Sequence, residues 1–177
     1  MLYIVAIAVI VIAIVFWTVS TKRLLSTLNK NIDNAMQQVG IQLSSQFNLL
    51  VSLLNLTYDY EPVKVQELID GVKLYRSEIT EKSTPQDVIT QENIIAEMLN
   101  QIAIIAEQHS SLKADEDYGK TLGAINQYEK MVRTSHLIYN ESVTSLNFSL
   151  RMLPTSLFAK ILGFHKLDYL EIPENLI

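Results

Sequence analysis

The chain has 177 residues, room for one domain with a real core and hardly for two. Its net charge of −5, with no basic stripe interleaved with aromatics, argues against nucleic acid as a partner. The absence of cysteine excludes disulfides, thiolate metal sites, a cysteine nucleophile and a cysteine-borne lipid, while only 5 glycines and 4 prolines favour long helices over sheet.

MLYIVAIAVIVIAIVFW, residues 1–17, contains no charge, and Val19 extends the apolar run. About 19 helical residues cover roughly 28 Å, close to the hydrocarbon thickness of a bilayer. Residues 1–20 therefore read as a transmembrane anchor. Tyr3 and Trp17 stand near its two ends, where aromatic rings favour the membrane interface. A cleaved signal peptide is the competing reading, but no basic stretch precedes Leu2, and Phe16 and Trp17 crowd the cleavage position. Lys22, Arg23 and Lys30 follow the span, which predicts a single-pass protein of the cell membrane with its N-terminus outside and its remaining chain, 21–177, in the cytoplasm.

The apolar stripe continues without a break through Leu28, Ile32, Ala35, Val39, Leu43, Gln46 or Phe47, Leu50 and Leu54, at spacings of three or four. It predicts a first helix running from the anchor to near Thr57, roughly 80 Å long. A kink near Ser20–Thr21 or at Gly40 is the alternative. A second, polar helix is expected over 62–82, with Val65, Leu68, Ile69, Val72 and Leu74 inward. Ser83-Thr84-Pro85-Gln86-Asp87 reads as a helix start, with a hydroxyl cap and proline at the first helical position. The third helix shows Val88, Ile95, Ile102 and His109 seven apart, with Gln91, Met98 and Ile105 between them.

Residues 111–120 read as a connection whose Asp115, Glu116 and Asp117 favour the next helix start. The fourth helix is expected to reach about Met152. Its seam is Tyr118, Leu122, Ile125, Glu129, Val132, His136, Tyr139, Val143, Leu146, Leu150 and Leu153. A short amphipathic helix over about 154–163 follows, either capping the bundle, the preferred reading, or lying on the membrane surface. The last dozen residues read as extended or loose. The fold class is all-α: an anchor continuing into an antiparallel up-and-down bundle of about four long helices.

RTSHLIYNESVTSLNF, residues 133–148, concentrates polar groups on that seam. Glu129, His136, Tyr139, Asn140 and Asn147 are read as a structural polar cluster, because buried polar groups persist in a seam mainly when they are paired and fix register. Asn140 and Asn147 are expected to bond between helices, and a facing helix to supply a group between Glu129 and His136. A partner-binding role and catalysis are the alternatives. Catalysis fits poorly. The chain has no Glu-x-x-His for a carboxylate-bridged dimetal site, and its three histidines fall in three segments. Ser135 and His136 are neighbours in sequence and so do not face each other on a helix. His109 reads as a helix-end residue, and His165 lies in the tail.

On these residues the chain resembles the LemA family of bacterial membrane proteins. NKNIDNAMQQVGIQL, residues 29–43, is similar to the family's first-helix signature. Tyr139-Asn140-Glu141, Val143 and Asn147 are similar to its YN-x-x-V-x-x-x-N motif, with Glu129 at the upstream Glu. Leu153-Pro154, Ala159 and Gly163-Phe164 match its closing segment. Three departures stand out: SSQFNLLVSLL at 44–54 in place of basic residues and an Asp-Leu-Ile-Pro-Asn run, His136 in place of Arg, and His-Ser-Ser-Leu at 109–112 in place of Tyr-Pro-x-Leu.

The resemblance implies an anchored, mostly cytoplasmic helical bundle, with some relatives tied to envelope physiology or to shaping internal membranes, and it supplies no catalytic residues. The function expected is a membrane-anchored scaffold, self-assembling and organising or shaping membrane, without enzymatic activity or cofactor. Its expected partners are the lipid bilayer, copies of itself and other membrane proteins. A regulatory adaptor for a membrane protease or kinase is the alternative, and a helical metalloenzyme the remote one.

Overall fold

With neither glycine nor proline before Gly40, nothing local interrupts the first helix, and α1 runs unbroken over Leu2–Thr57. Its 56 residues span about 84 Å. In this computed structural model, which describes residues 1–171 apart from the side chain of Leu2, every regular element is helical. The others are α2 (Pro62–Tyr75), α3 (Pro85–Gln108), α4 (Ser110–Lys113), α5 (Glu116–Ser149) and α6 (Thr155–Ile161). Pro173 and the other residues of 172–177 fall outside the described part.

Helix α1 is the hub, and α2, α3, α5 and α6 all pack against it. The expected stripe is its inner face: Ile32, Ala35, Val39, Leu43, Phe47, Leu50 and Leu54 are buried, and Leu28 is half-buried. Burial begins at Thr21 and Leu25, and before them the helix is almost wholly exposed.

Helices α1, α2, α3 and α5 make up the bundle, but α2 stops at Tyr75 rather than near residue 82. A buried Gln91 on α3 explains the stop. Its amide nitrogen donates to the Tyr75 carbonyl at 3.2 Å, and its oxygen accepts from the Ser77 N–H at 2.8 Å. One side chain thus satisfies backbone groups freed where the helix ends. Leu74, expected inside, is exposed as a result.

The chain then descends along α1 as a linker. Arg76 stacks over Phe47 and bonds Ser44 and Asn48, and Ile79 is buried against Gly40. A Cβ on Gly40 would collide with the Ile79 carbonyl oxygen. Gly40 therefore serves close backbone approach rather than a break in the helix. Further down, the Asp33 carboxyl is pushed above its ordinary range, chiefly by partial burial and then by the charge of Glu81, against a hydrogen bond from Asn29.

Helix α3 starts where the sequence indicates. The Thr84 hydroxyl accepts from the Asp87 N–H, and the Asp87 carboxylate accepts from the Thr84 N–H at 2.7 Å, a reciprocal capping box. The helix climbs back until His109, its C-cap, packs its ring on Tyr60 and brings Nε2 to 3.6 Å from Glu61. After the single turn of α4, Asp115 caps α5 through the Tyr118 N–H. Helix α5 then runs down α1, antiparallel to it. Its 34 residues cover about 51 Å, which from Thr57 reaches the level of about residue 23 of α1.

Helix α5 ends at Ser149, not at Met152. Short turns, Arg151 N–H to the Phe148 carbonyl and Met152 N–H to the Ser149 carbonyl, replace helical bonds ahead of Pro154, as expected where the residue before proline is pushed out of the helical region. Leu153, expected in the seam, is consequently exposed. Past α6, Gly163 turns with φ +80°, and residues 164–171 return along α5 as an extended strap.

Candidate functional site

The polar residues of α5 fall into two groups, which the even rhythm of the seam does not separate. Tyr118, Ile125, Val132, His136, Tyr139, Val143 and Leu146 are buried, so the three-and-four spacing identifies the inner face correctly. Glu129 departs from it. Its side chain is 42% exposed and accepts from Arg133 Nη2, one turn on, at 2.6 Å. It makes a surface pair on its own helix and does not join His136.

His136 is 2% exposed and sits opposite Glu92 of α3, with Nε2 3.2 Å from Glu92 Oε1. The distance allows charge attraction, but the alignment misses a hydrogen bond. Sequence reading anticipates a group from a facing helix without naming Glu92. The available signal is its place beside Gln91, on the buried side of α3.

Asn140 and Asn147 do not bond between helices as expected. Together with Tyr139 they hold the strap. Asn140 Nδ2 donates to the Leu170 carbonyl, and Asn140 Oδ1 accepts from the Leu170 N–H, both at 2.8 Å. Asn147 repeats the arrangement on Leu167, at 2.9 and 3.1 Å. A primary amide offers one acceptor beside a donor, which matches the donor and acceptor of one extended residue.

The spacing fits as well. Seven residues on a helix advance about 10.5 Å. Three residues of three-fold extended chain advance about 9.3 Å and return to the same side, so Leu167 and Leu170 can both face α5. Between them, the Tyr139 hydroxyl donates to the Asp168 carbonyl at 3.2 Å. Burial, and secondarily the charge of Asp168, push the Tyr139 phenol above its ordinary range. The strap's Leu170 side chain is buried in the core, and Leu167 packs partly against it. The sequence signal for the strap is Leu-x-x-Leu opposite Asn-x₆-Asn, weak by itself.

The remaining site residues lie on α1. Tyr3 and Trp17 are exposed, at 83% and 49%, and Lys22 and Arg23 are exposed beside the buried Thr21. Among the described residues, no group of three or more His, Asp or Glu side chains is placed to hold a metal ion. His165 is exposed, and Ser135 turns its hydroxyl onto the Met131 carbonyl of its own helix.

The LemA family model matches residues 35–176, most of the chain. The chain belongs to the LemA family. No curated protein matches it. The LemA match takes in α5 with Asn140 and Asn147 and the strap they hold, so the tyrosine–asparagine motif that suggests the family is also the part of the fold that fastens the C-terminal segment.

Proposed function

We propose that this protein is a non-catalytic, membrane-anchored scaffold that couples the cell membrane to a rigid helical bundle and assembles with copies of itself to organise or shape the membrane. The observation that carries this reading is α1, one helix whose first part is bare and apolar and whose second part is the hub of the bundle. Thirteen large apolar side chains from Tyr3 to Val19 are exposed. At roughly 1.5–3 kcal/mol for each side chain left in water, the cost exceeds the net stability of a typical domain, about 5–15 kcal/mol. A lipid environment removes that cost. Lys22, Arg23 and Lys30, just past the span, favour a single pass with the bundle on the cytoplasmic side.

The polar seam supports a structural role. Asn140, Asn147 and Tyr139 all bond strap backbone, a use for them in holding the fold. Met131, Leu137 and Ile138 on α5 and Ile41 on α1 remain exposed and offer apolar contact to a second copy. Light scattering of the full chain in mild detergent tests assembly. The expected mass is a multiple of the 20.1 kDa chain after subtracting detergent. A strict monomer at high concentration contradicts the assembling scaffold.

A further inference from the structure

The end of the bundle beside Thr21 carries apolar side chains that nothing in the fold covers. Phe148, Met152, Leu153, Leu157 and Ile161 are exposed, Leu153 at 75% and Ile161 at 82%. They come from the end of α5, the turn after it and α6. The descent of α5 places them level with about residue 23 of α1, just beyond the apolar run. Helix α6 packs on α1 and buries Ala159, while Leu157 and Ile161, four apart and so on one face, point outward. Capping of the bundle, the reading preferred from sequence, accounts for Ala159 and the half-buried Phe158 and Phe164, but not for this outer face.

Charge is sorted in the same direction. From Ser142 to Leu167 there is no Asp or Glu, while Arg151, Lys160 and Lys166 are present. Helix α1 has no acidic residue before Asp33 and carries Lys22, Arg23 and Lys30 below it. A chain of net charge −5 thus collects cations at the end where its apolar run begins.

We propose that this end is a docking face for the membrane surface. The end of α5 and α6 lie on the headgroup layer of the bilayer that α1 crosses, with Leu153, Leu157 and Ile161 inserted and Arg151, Lys160 and Lys166 against anionic lipid headgroups. The proposal rests on the anchored reading above. A second copy fits this face less well. Copies anchored in one membrane share one orientation, so their bases would bring like cations together. Docking gives the bundle a second hold on the membrane, and the strap leading from α6 to Asn147 and Asn140 ties that foot to α5.

The absence of native cysteine allows single labels on the full chain. Ile161→Cys, Ile10→Cys and Leu137→Cys, all exposed positions, are labelled with an environment-sensitive fluorophore. Each variant is reconstituted into phosphatidylcholine vesicles with and without phosphatidylglycerol, containing lipids spin-labelled at shallow or deep positions. Quenching of the Ile161 label should exceed that of the Leu137 label about threefold, favour the shallow quencher, and fall when phosphatidylglycerol is omitted or Arg151→Glu and Lys160→Glu are combined. The Ile10 label should favour the deep quencher. Deep quenching at Ile10 with Ile161 no better quenched than Leu137 overturns the docking face and leaves the anchor standing. No lipid quenching at Ile10 overturns both. An Ile161 label shielded from lipid, but exposed as the protein is diluted in the vesicles, assigns the face to a second copy and overturns the proposal.

Discussion

His136 and Glu129 lie seven residues apart on one helix, yet their surroundings set opposite consequences for removing them. His136 is enclosed and faces the Glu92 carboxylate, so His136→Ala leaves a cavity and a carboxylate without its partner. Its expected cost is about 2–4 kcal/mol of unfolding free energy. Glu129→Ala loses only a partly exposed pair with Arg133 and should cost about 0.5 kcal/mol or less. Chemical denaturation of both variants checks the contrast, and equal losses would contradict the separation of the two residues. A heptad pattern could not make this distinction, because it gives a residue's direction but not whether a neighbouring helix covers it at that height. Helix α3 covers α5 at His136, through Glu92. At Glu129 the nearest charge is on α5 itself.

At the scale of elements, the strap is the feature that the sequence reading misses. Three helices were legible because Leu, Ile and Val recur at three and four over many turns, and because Thr84 and Asp87 mark a start that needs no tertiary contact. The early end of α2 and the course of 164–171 depend on remote side chains, Gln91 in one case and Asn140 with Asn147 in the other, and local pattern carries at most a weak trace of them. Asn140→Ala strands the Leu170 N–H and carbonyl and is expected to cost about 1–3 kcal/mol. Asn140→Asp keeps an acceptor for the N–H but sets a charge against the carbonyl, so it should not rescue the variant. Hydrogen exchange at the Leu170 amide should accelerate in both, and an unchanged rate would show that the strap holds without the asparagine.

The capping box of α3 gives a pH dependence. Hydrogen bonds from the Thr84 backbone and then its side chain hold the Asp87 carboxyl below its ordinary range, so folding favours the ionised form. That contribution is fully present above the carboxyl's unfolded pKa and is lost as pH falls through the lower folded value. The Tm advantage of the native protein over Asp87→Asn should therefore be constant near neutrality and shrink below about pH 4. A gap unchanged down to pH 2 would contradict the box.

For the whole molecule, the apolar N-terminal segment and the bundle core are successive lengths of one rod. The sequence favours this continuity over a kink, in the lack of glycine and proline before Gly40 and in the apolar stripe beyond residue 20. It hides what Gly40 is for, since the Ile79 carbonyl that needs the missing Cβ arrives from a linker expected to be helix. The proposed scaffold would transmit position only if the rod stays rigid where the apolar segment meets the bundle. The most direct test is the distance between spin labels at Ile7→Cys and Ile41→Cys, both exposed, in the full chain in lipid nanodiscs. An unbroken helix predicts a single narrow distribution centred near about 51 Å. A broad distribution, or one centred more than about 10 Å shorter, would mean a hinge between membrane and bundle and would contradict the rod.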